Sequence, residues 1–362
     1  MAQRPRQKLR RGWTTGACAT AAAKSAYTAL LTGKFLDPVE IVLPKGEKPA
    51  FSLTREGVTA TGAFAAITKD AGDDPDITHG AIIRVDVAHG SPGSGVVYRA
   101  GCGVGIITLE GLPLAVGEAA INPGPRKMIA EAVSCVAKKN GGSGDVIITI
   151  SVEGGRDLAT KTWNPRLGII GGLSILGTTG VVIPYSCAAW IESIHRGIDV
   201  SRALGLTVIA GCTGKMSEER TQALFRLPSH AMIDMGDFVG GLLKYLRTHP
   251  VPQVILSGGF AKITKLANGN LDLHSGRSQV DFFWLADLAR KLGASRSVYD
   301  KIQRSNTAAL ALSVAQSNNI SLATEIAKEA QRVARYTVRK AEIKIEVLIF
   351  DRDGKLVGSS NE

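Results

Sequence analysis

Residues 206–219 read Leu-Thr-Val-Ile-Ala-Gly-Cys-Thr-Gly-Lys-Met-Ser-Glu-Glu. The apolar run Leu206–Ala210 predicts a buried strand, and Ser217 followed by two glutamates predicts the start of a helix. A glycine loop between a strand and a helix is where α/β sheets usually bind ligands, because N–H groups at the helix start face an anionic group. We therefore expect a ligand site over Gly211–Ser217; a capped helix after a turn is the purely structural alternative.

This loop matches neither of two common phosphate-binding motifs. A Walker A loop needs four residues between its glycines and Ser or Thr after the lysine, but Met216 follows Lys215. The loop is not Gly-x-Gly-x-x-Gly either, which lowers the expectation of a dinucleotide.

Strand and helix signals alternate from about residue 200 onward. Strands are predicted at Met232–Met235 and Val254–Leu256, a long amphipathic helix at Leu322–Tyr336 and a closing strand at Ile343–Ile349. The alternation predicts a mainly parallel sheet with crossover helices. We expect residues 166–362 to form an α/β three-layer C-terminal domain.

The first part of the chain does not show this regular alternation of strand and helix signals. Thr14 precedes an alanine-rich run that ends near Gly33, which predicts a capped helix with a smooth face. A second helix is predicted between Asn122 and Gly141. Strands are predicted at Val39–Leu43, Val58–Ile67, Ala81–Val87 and Val146–Val152. The result is a two-domain prediction in which residues 1–165 form an α+β N-terminal domain of the S5 domain 2-like kind.

Composition and charge restrict the class of protein. Of 362 residues 44% are hydrophobic and 21% charged, which excludes disordered and fibrous classes. Glycine is enriched at 41 residues, so many tight turns are expected. The net charge of +11 attracts polyanions: nucleic acid, acidic lipid, or a small molecule with several carboxylates.

Cysteine usage and apolar runs bear on the compartment. The five cysteines are widely separated, odd in number and without a Cys-x-x-Cys pair, so we expect neither a disulfide framework nor a zinc site, and a cytoplasmic location. No apolar stretch follows the basic arm Met1–Arg11, so no signal peptide is expected. The uncharged segment Leu167–Ile191 is long enough to span a membrane, but its glycines favour buried strand and turn.

One loop crowds four aspartates beside His79, namely Asp70, Asp73, Asp74 and Asp76. They could hold a cation, although the calcium-loop spacing is missing. They could also form turns, or one could orient a substrate or accept a proton. The sequence leaves these alternatives open.

Three further patterns are candidates for binding or catalysis. Thr178-Thr179-Gly180 echoes Thr14-Thr15-Gly16, and hydroxyls with glycine N–H groups can bind a carboxylate or a ribose, or only make turns. Lys262 and Lys265 suit a multiply charged ligand, or form a solvated face. His274 is the natural acid or base if it lies in a pocket.

A series of motifs runs through most of the chain in order. They are Thr14-Thr15-Gly16-Ala17-Cys18-Ala19, Lys69-Asp70-Ala71-Gly72-Asp73-Asp74-Pro75-Asp76, Thr78-His79-Gly80, Gly103-Val104-Gly105, Gly117-Glu118, Ala120-Ile121-Asn122-Pro123, Asn164-Pro165-Arg166-Leu167-Gly168, Gly171-Gly172, Gly177-Thr178-Thr179-Gly180, Gly214, Ser217-Glu218, Lys262, Lys265 and His274-Ser275. Together they resemble the cobalt-precorrin-5B C1-methyltransferases of the anaerobic cobalamin pathway. The chain departs from the family at Asp272-Leu273, where Asn-Thr is expected.

This resemblance implies transfer of a methyl group from S-adenosylmethionine to C1 of cobalt-precorrin-5B, giving cobalt-precorrin-6A and S-adenosylhomocysteine. Cobalt arrives with the substrate, so no metal of the enzyme's own is expected. We expect S-adenosylmethionine to contact Gly211, Thr213, Gly214, Ser217, Thr178, Thr179 and Gly180. The predicted corrinoid contacts are Thr15, Arg126, Arg166, Lys262 and Lys265. Candidates for a catalytic acid or base are His274, His79 and Asp74.

The resemblance also sets expectations about partners. The expected small-molecule partner is the corrinoid, and neither a nucleic-acid nor a membrane partner is expected. Transient hand-over between neighbouring pathway enzymes and a homo-oligomer are further possibilities. Two alternatives remain: a basic, non-enzymatic nucleic-acid-binding protein, which sparse aromatics disfavour, and another tetrapyrrole-modifying enzyme. A heat shift with S-adenosylhomocysteine would distinguish the enzyme from the first alternative.

Overall fold

The computed structural model describes residues 9–361, so most of the basic arm lies outside the described residues. The fold is mixed α/β, and it divides into two compact units, one ending at Ser186 and the other beginning at Cys187. The division follows Ser186 rather than Pro165 because strands within residues 169–182 pair with strands of the first unit.

The first unit combines short strands with helices. Its helices are α1 (Thr15–Thr32), α2 (Pro123–Asn140) and α3 (Gly155–Ala159). Its strands are β1 (Gly12–Trp13), β2 (Val39–Glu40), β3 (Ala50–Phe51), β4 (Arg55–Thr59), β5 (Gly62–Thr68), β6 (Ile82–His89), β7 (Val96–Ala100), β8 (Gly103–Val104), β9 (Ile106–Ile107), β10 (Val146–Val152), β11 (Ile169–Ile170), β12 (Gly172–Leu173) and β13 (Val181–Val182).

Within the described residues the main sheet of this unit has the order β4-β5-β6-β10-β7. Strand β10 is antiparallel to β6 and parallel to β7, and both predicted strands, Ala81–Val87 and Val146–Val152, are confirmed. The single strand predicted at Val58–Ile67 is wrong. It is the hairpin of β4 and β5, whose turn at Ala60-Thr61 lacks the Asn-Gly type of signal that marks such turns.

Helix α1 begins and ends where its sequence predicts. The Thr14 hydroxyl accepts a hydrogen bond from the Ala17 N–H at 3.2 Å, and Gly33 ends the helix in the left-handed conformation. Alanines make the helix apolar on nearly every side, and it is buried against β5, β6 and α2. Helix α2 is likewise confirmed, with Gly141 as its left-handed cap.

The second unit alternates strands and helices. Its strands are β14 (Val208–Cys212), β15 (Met232–Asp234), β16 (Gln253–Gly259), β17 (Lys344–Phe350) and β18 (Leu356–Ser359). Its helices are α4 (Cys187–Ala203), α5 (Lys215–Phe225), α6 (Val239–Tyr245), α7 (Phe260–Ala267), α8 (Phe282–Lys291), α9 (Arg296–Gln303), α10 (Ala308–Ser317) and α11 (Leu322–Val338).

The sheet of the second unit has the order β15-β14-β16-β17-β18. The pairings among β15, β14, β16 and β17 are parallel, as predicted, and β18 is antiparallel to β17. Apolar side chains cover both faces of the sheet. Ala210 and Ile255 pack with Phe225 of α5 on one face, while Ile209 and Val254 belong to the large core cluster on the other, together with α6, α7 and α11.

The uncharged segment 167–191 forms short strands and turns up to Val182, as predicted. The prediction is wrong from Cys187, where α4 begins. Across residues 9–361 we find no helix with the length and apolar character needed to cross a membrane.

Candidate functional site

The carboxyl ends of β14, β15 and β16 meet at one edge of the second unit's sheet. If the strands are numbered by their position along the chain, their order across this sheet is second, first, third, fourth and fifth. The chain leaves β14 toward β15 and later returns to β16 on the other side, so α5 and α7 lie on opposite faces. Such a reversal opens a crevice between the first and third strands, where ligands bind in open α/β sheets. The loop predicted as a ligand site follows β14 at this crevice.

Two hydrogen bonds to backbone carbonyl oxygens fix the loop after β14. The Thr213 N–H donates to the Ser257 carbonyl oxygen at 3.0 Å, and the Ser217 hydroxyl donates to the Gly214 carbonyl oxygen at 2.8 Å. A Cβ placed on Gly214 would meet no atom within 4 Å. Gly214 therefore borders open space, as a ligand site requires.

Two of the predicted loop residues serve packing instead. A Cβ on Gly211 would lie 2.7 Å from Leu242, so this glycine allows α6 to approach the sheet closely. Ser217 is 2% exposed. Cys212 is also buried, and burial raises the pKa of its thiol to about 12, which keeps it protonated. Thr213 and Gly214 are the loop positions best placed to contact a ligand.

A second glycine pair, which sequence analysis missed, ends β16 at Gly258-Gly259, directly before α7. A Cβ on Gly258 would lie 2.5 Å from Thr213 Oγ1, so the end of β16 touches the loop after β14. A Cβ on Gly259 would meet nothing within 4 Å. The signal was available: the glycine pair comes one residue after the predicted apolar strand Val254–Leu256, and a helix follows it.

Lys262 joins the loops of two neighbouring strands. Its Nζ donates to the Thr213 carbonyl oxygen at 2.8 Å and lies 3.0 Å from Asp237 Oδ1. Asp237, also missed in the sequence, follows β15, and its Oδ1 is buried. The predicted contact of Lys262 with substrate therefore competes with two contacts inside the protein.

Lys265 faces the interior. It is 7% exposed, and its Nζ donates to the Leu273 carbonyl oxygen at 2.7 Å. Burial lowers the pKa of Lys265, an effect that nearby Asp237 partly offsets. This burial does not support the predicted contact with substrate carboxylates; the side chain instead holds the segment that leads to His274.

His274 is exposed at the end of that segment. Its N–H donates to Asp272 Oδ1 at 3.1 Å, and its Nδ1 accepts from the Gly276 N–H at 3.1 Å. Because Nδ1 is an acceptor, the neutral ring carries its proton on Nε2 and offers a donor. Burial alone would raise the pKa of Asp272, but the hydrogen bonds from Arg277 and the His274 N–H, together with the nearby positive charge, outweigh it and the pKa is lowered. Asp272, the departure from the family motif, thus orders this turn.

The two Thr-Thr-Gly motifs of the first unit pack against each other. The Thr14 N–H donates to the Gly180 carbonyl oxygen at 3.0 Å, and a Cβ on Gly177 would lie 2.4 Å from Thr14. Thr15 is 3% exposed, and its hydroxyl accepts from the Leu176 N–H at 3.0 Å. The predicted contact of Thr15 with substrate is therefore not supported.

Thr178, Thr179 and Gly180 lie in the first unit, whereas the Gly211–Ser217 loop lies in the second. They stand near the start of α2, where a Cβ on Gly124 would lie 3.2 Å from the Thr178 Cα. Their predicted contact with the same cofactor as the Gly211–Ser217 loop stays a prediction.

The two predicted arginines have contacts within the first unit. Arg126 Nε donates to the Ile121 carbonyl oxygen at 2.8 Å, and its Nη2 lies 3.2 Å from Glu118. Its guanidinium is 5.3 Å from the centre of the Tyr98 ring. These contacts give Arg126 a structural role. Arg166 stacks over Trp163 at 4.8 Å from the ring centre.

The aspartate loop organises the first unit. The Asp70 carboxylate accepts two hydrogen bonds from Arg10, which lower its pKa to about 2. Asp73 Oδ2 accepts from the Arg10 N–H at 2.6 Å, and Asp74 Oδ1 from the Tyr185 N–H at 2.7 Å. Asp74 therefore connects two segments of this unit, which weakens its candidacy as a catalytic base.

Asp76 is the counter-ion of a buried lysine. Lys69 is 1% exposed, and its Nζ lies 2.6 Å from Asp76 Oδ2. The other carboxylate oxygen accepts from the N–H and the hydroxyl of Thr78, each at 2.7 Å. Burial would raise the pKa of Asp76, but Lys69 and Thr78 outweigh it and the pKa is lowered.

His79 stands beside this loop and is exposed. Its Nδ1 accepts from the Ala71 N–H at 3.1 Å and lies 3.8 Å from Asp70. The neutral ring therefore also offers a donor at Nε2. The part of the chain that the structure describes contains no group of His, Cys, Asp or Glu arranged to hold a metal ion.

A glycine loop at the switch point of an open, mainly parallel sheet is typical of α/β proteins that bind a small ligand at this edge. A family model described as CbiD matches residues 2–184, and one described as the CbiD C-terminal domain matches residues 272–361. The chain belongs to the CbiD family.

Curated relatives are similar in sequence to this chain over nearly its whole length. The chain is 57% identical over 350 residues to the cobalt-precorrin-5B C(1)-methyltransferase of Brucella anthropi, covering 97% of this chain and 95% of that protein. It is 55% identical to the protein of the same name from Paramagnetospirillum magneticum, covering 98% and 99%. A crystal structure of a cobalamin biosynthesis protein (cbiD) from Archaeoglobus fulgidus is 27% identical, with a TM-score of 0.40, covering 70% of this chain and 77% of that one.

Proposed function

We propose that this protein is a methyltransferase of cobalamin biosynthesis that methylates C1 of cobalt-precorrin-5B. The observation that carries this conclusion is its 55–57% identity, over 97–98% of the chain, to relatives named for that reaction. The same relatives leave the alternative of a nucleic-acid-binding protein without support.

The methyl donor in this proposal is S-adenosylmethionine, held at the crevice between β14 and β16. Support comes from Gly214 and Gly259, where a Cβ would meet no atom within 4 Å. Thr213 and Gly214 would contact the adenosyl group, with Gly258-Gly259 opposite. When bound, this co-substrate supplies a methyl group already activated by the sulfonium. Thr178, Thr179 and Gly180 stay a further predicted contact.

The proposed second substrate is the corrinoid, which carries several ionised acetate and propionate arms. The net charge of +11 favours such a polyanion over a neutral ligand. Arg166 keeps its predicted role in this proposal. Arg126 and Lys265 would act indirectly, by holding the segments around them.

Catalysis in this proposal comes chiefly from holding the ring carbon in line with the methyl group. Good positioning of two reactants is worth roughly 7–11 kcal/mol. His274 and His79 each offer an Nε2 donor and would assist by fixing the protonation state of the ring or of a side arm. The finer domain description, a cytoplasmic location, hand-over between enzymes and a homo-oligomer stay predictions.

The proposal is tested by incubating the purified protein with cobalt-precorrin-5B and S-adenosylmethionine labelled in the methyl group. We expect one label per corrinoid, at C1, and an equal amount of S-adenosylhomocysteine. A corrinoid that binds but gains no label, or gains it at another carbon, would refute the assigned reaction.

A further inference from the structure

Lys262 occupies an unusual place for a substrate-binding lysine. It is the third residue of α7, which starts directly after β16. From there its side chain, 36% exposed, reaches the loop after β14 at Thr213 and the loop after β15 at Asp237. A single ammonium therefore connects the segments that follow the carboxyl ends of β14, β15 and β16.

These contacts fix the direction of one peptide group. The Thr213 N–H donates to the Ser257 carbonyl oxygen. The Thr213 carbonyl oxygen, which belongs to the Thr213–Gly214 peptide, accepts a hydrogen bond from Lys262 Nζ. Because a peptide is planar and trans, its C=O and the following N–H point in opposite directions. The position of Lys262 therefore sets where the Gly214 N–H points, at the start of α5.

Asp237 makes this arrangement depend on charge. Its Oδ1 is buried and has the Lys262 ammonium at 3.0 Å. The Asp237 side chain is 25% exposed, so without Lys262 its buried Oδ1 would lose the counter-ion and the loop after β15 would shift or admit water. Asp237 also accepts the Leu273 N–H at its carbonyl oxygen at 2.9 Å, which links the pair to the turn before His274.

We infer that Lys262 and Asp237 form a positioning pair that orients the Thr213-Gly214 peptide toward the adenosyl group, and that Lys262 does not bind the carboxylate arms of the corrinoid. The inference rests on the proposed function, since it takes the crevice as the S-adenosylmethionine site. It reverses the expectation from sequence, in which Lys262 serves the corrinoid.

The test compares Lys262→Met, Lys262→Arg and Asp237→Asn, with Lys244→Met as a charge-matched control on an exposed position of α6. Calorimetry measures the Kd for S-adenosylhomocysteine, and steady-state kinetics measures the KM for cobalt-precorrin-5B. We expect Lys262→Met to weaken S-adenosylhomocysteine binding about tenfold, with a far smaller change in the corrinoid KM. Lys262→Arg should recover part of the affinity, and Lys262→Met combined with Asp237→Asn should be less damaging than the sum of the two.

A second readout needs no ligand. Hydrogen exchange of the amides of residues 213–217 should be faster in Lys262→Met than in the wild type, and unchanged in Lys244→Met. A corrinoid KM that rises more than the S-adenosylhomocysteine Kd would overturn the inference, as would unchanged exchange in the loop. Failure of the wild type to bind S-adenosylhomocysteine would instead refute the proposed cofactor site, and the exchange experiment would still decide whether Lys262 orders this loop.

Discussion

Replacing Asp76 by asparagine should destabilise the first unit far more than a surface substitution does. The ammonium of Lys69 is almost fully buried and has the Asp76 carboxylate at 2.6 Å. Asparagine can keep the two hydrogen bonds from Thr78, because its carbonyl oxygen can take the place of Oδ1. What is lost is the negative charge facing Lys69.

The size of the effect follows from burial. Removing one partner of a buried ion pair costs about 3–5 kcal/mol, because the other charge is left uncompensated. Asp76 is itself 24% exposed, so water can partly replace it, and we expect about 3 kcal/mol. For a unit of this size, that corresponds to a decrease in Tm of roughly 6–12 °C.

Thermal and urea unfolding of the full chain, followed by circular dichroism, measures this loss. Asp73→Asn is the matched control, since it removes the same charge from an exposed position of the same loop and should cost less than about 1 kcal/mol. The double variant Lys69→Met with Asp76→Asn should recover much of the stability, because no buried charge remains. Our account of the pair is refuted if Asp76→Asn is as stable as Asp73→Asn, or if the double variant is no better than the single.

Acid should remove the difference between Asp76→Asn and the wild type. The folded-state pKa of Asp76 is lowered, so its contribution to stability is complete above its ordinary pKa, about 4, and is lost as the pH falls through the lowered value. The two proteins should therefore differ most near neutral pH and converge as the pH falls through the lowered pKa of Asp76. A difference that grows in acid would contradict this sign.

Three further predictions concern other parts of the chain. Gly214→Trp should weaken S-adenosylhomocysteine binding at least tenfold by calorimetry while keeping the Tm, since the position is extended and open; unchanged affinity would remove the loop from the site. Asp70→Asn should cost less than about 1 kcal/mol, because its pair with Arg10 is solvent-screened, and this cost should disappear between about pH 4 and pH 2; an acid titration of stability checks it. Gly177→Ala should lower stability by about 1–3 kcal/mol in urea unfolding, because φ is 117° and the new Cβ would meet Thr14 at 2.4 Å; a neutral effect would mean that the two threonine motifs can separate.

Helix ends and single strands were predictable where the signal is local. The residue types alone predict the caps of α1 at Thr14 and Gly33, and also the cap of α2 at Gly141. The first glycine loop was found in the same way, because it follows one strand and precedes one helix. The glycine pair Gly258-Gly259 also lies between a strand signal and a helix and was overlooked.

Side-chain roles were harder to predict, since they depend on burial and on long-range pairing. Lys262 and Thr213 are 49 positions apart, and nothing near either residue indicates their contact. Lys265 lies three positions after Lys262 on the same face of α7, yet Lys265 is 7% exposed while the Lys262 side chain is 36% exposed. Thr15 and Arg126 look like ligand contacts in the sequence because hydroxyls and guanidinium groups bind anions, but their hydrogen-bonding capacity is used within the fold.

The pairing of β1 with β13 places the two ends of the first unit side by side, with Gly12 opposite Val182. A fragment stopped at residue 165 would lose the partner strands of β1, β8 and β9 and leave their edges exposed. A fragment that continues to Ser186 keeps them. With neighbouring ends, this unit should also tolerate circular permutation, in which a short linker joins its original termini and new ones open in a surface turn such as Ala60-Thr61.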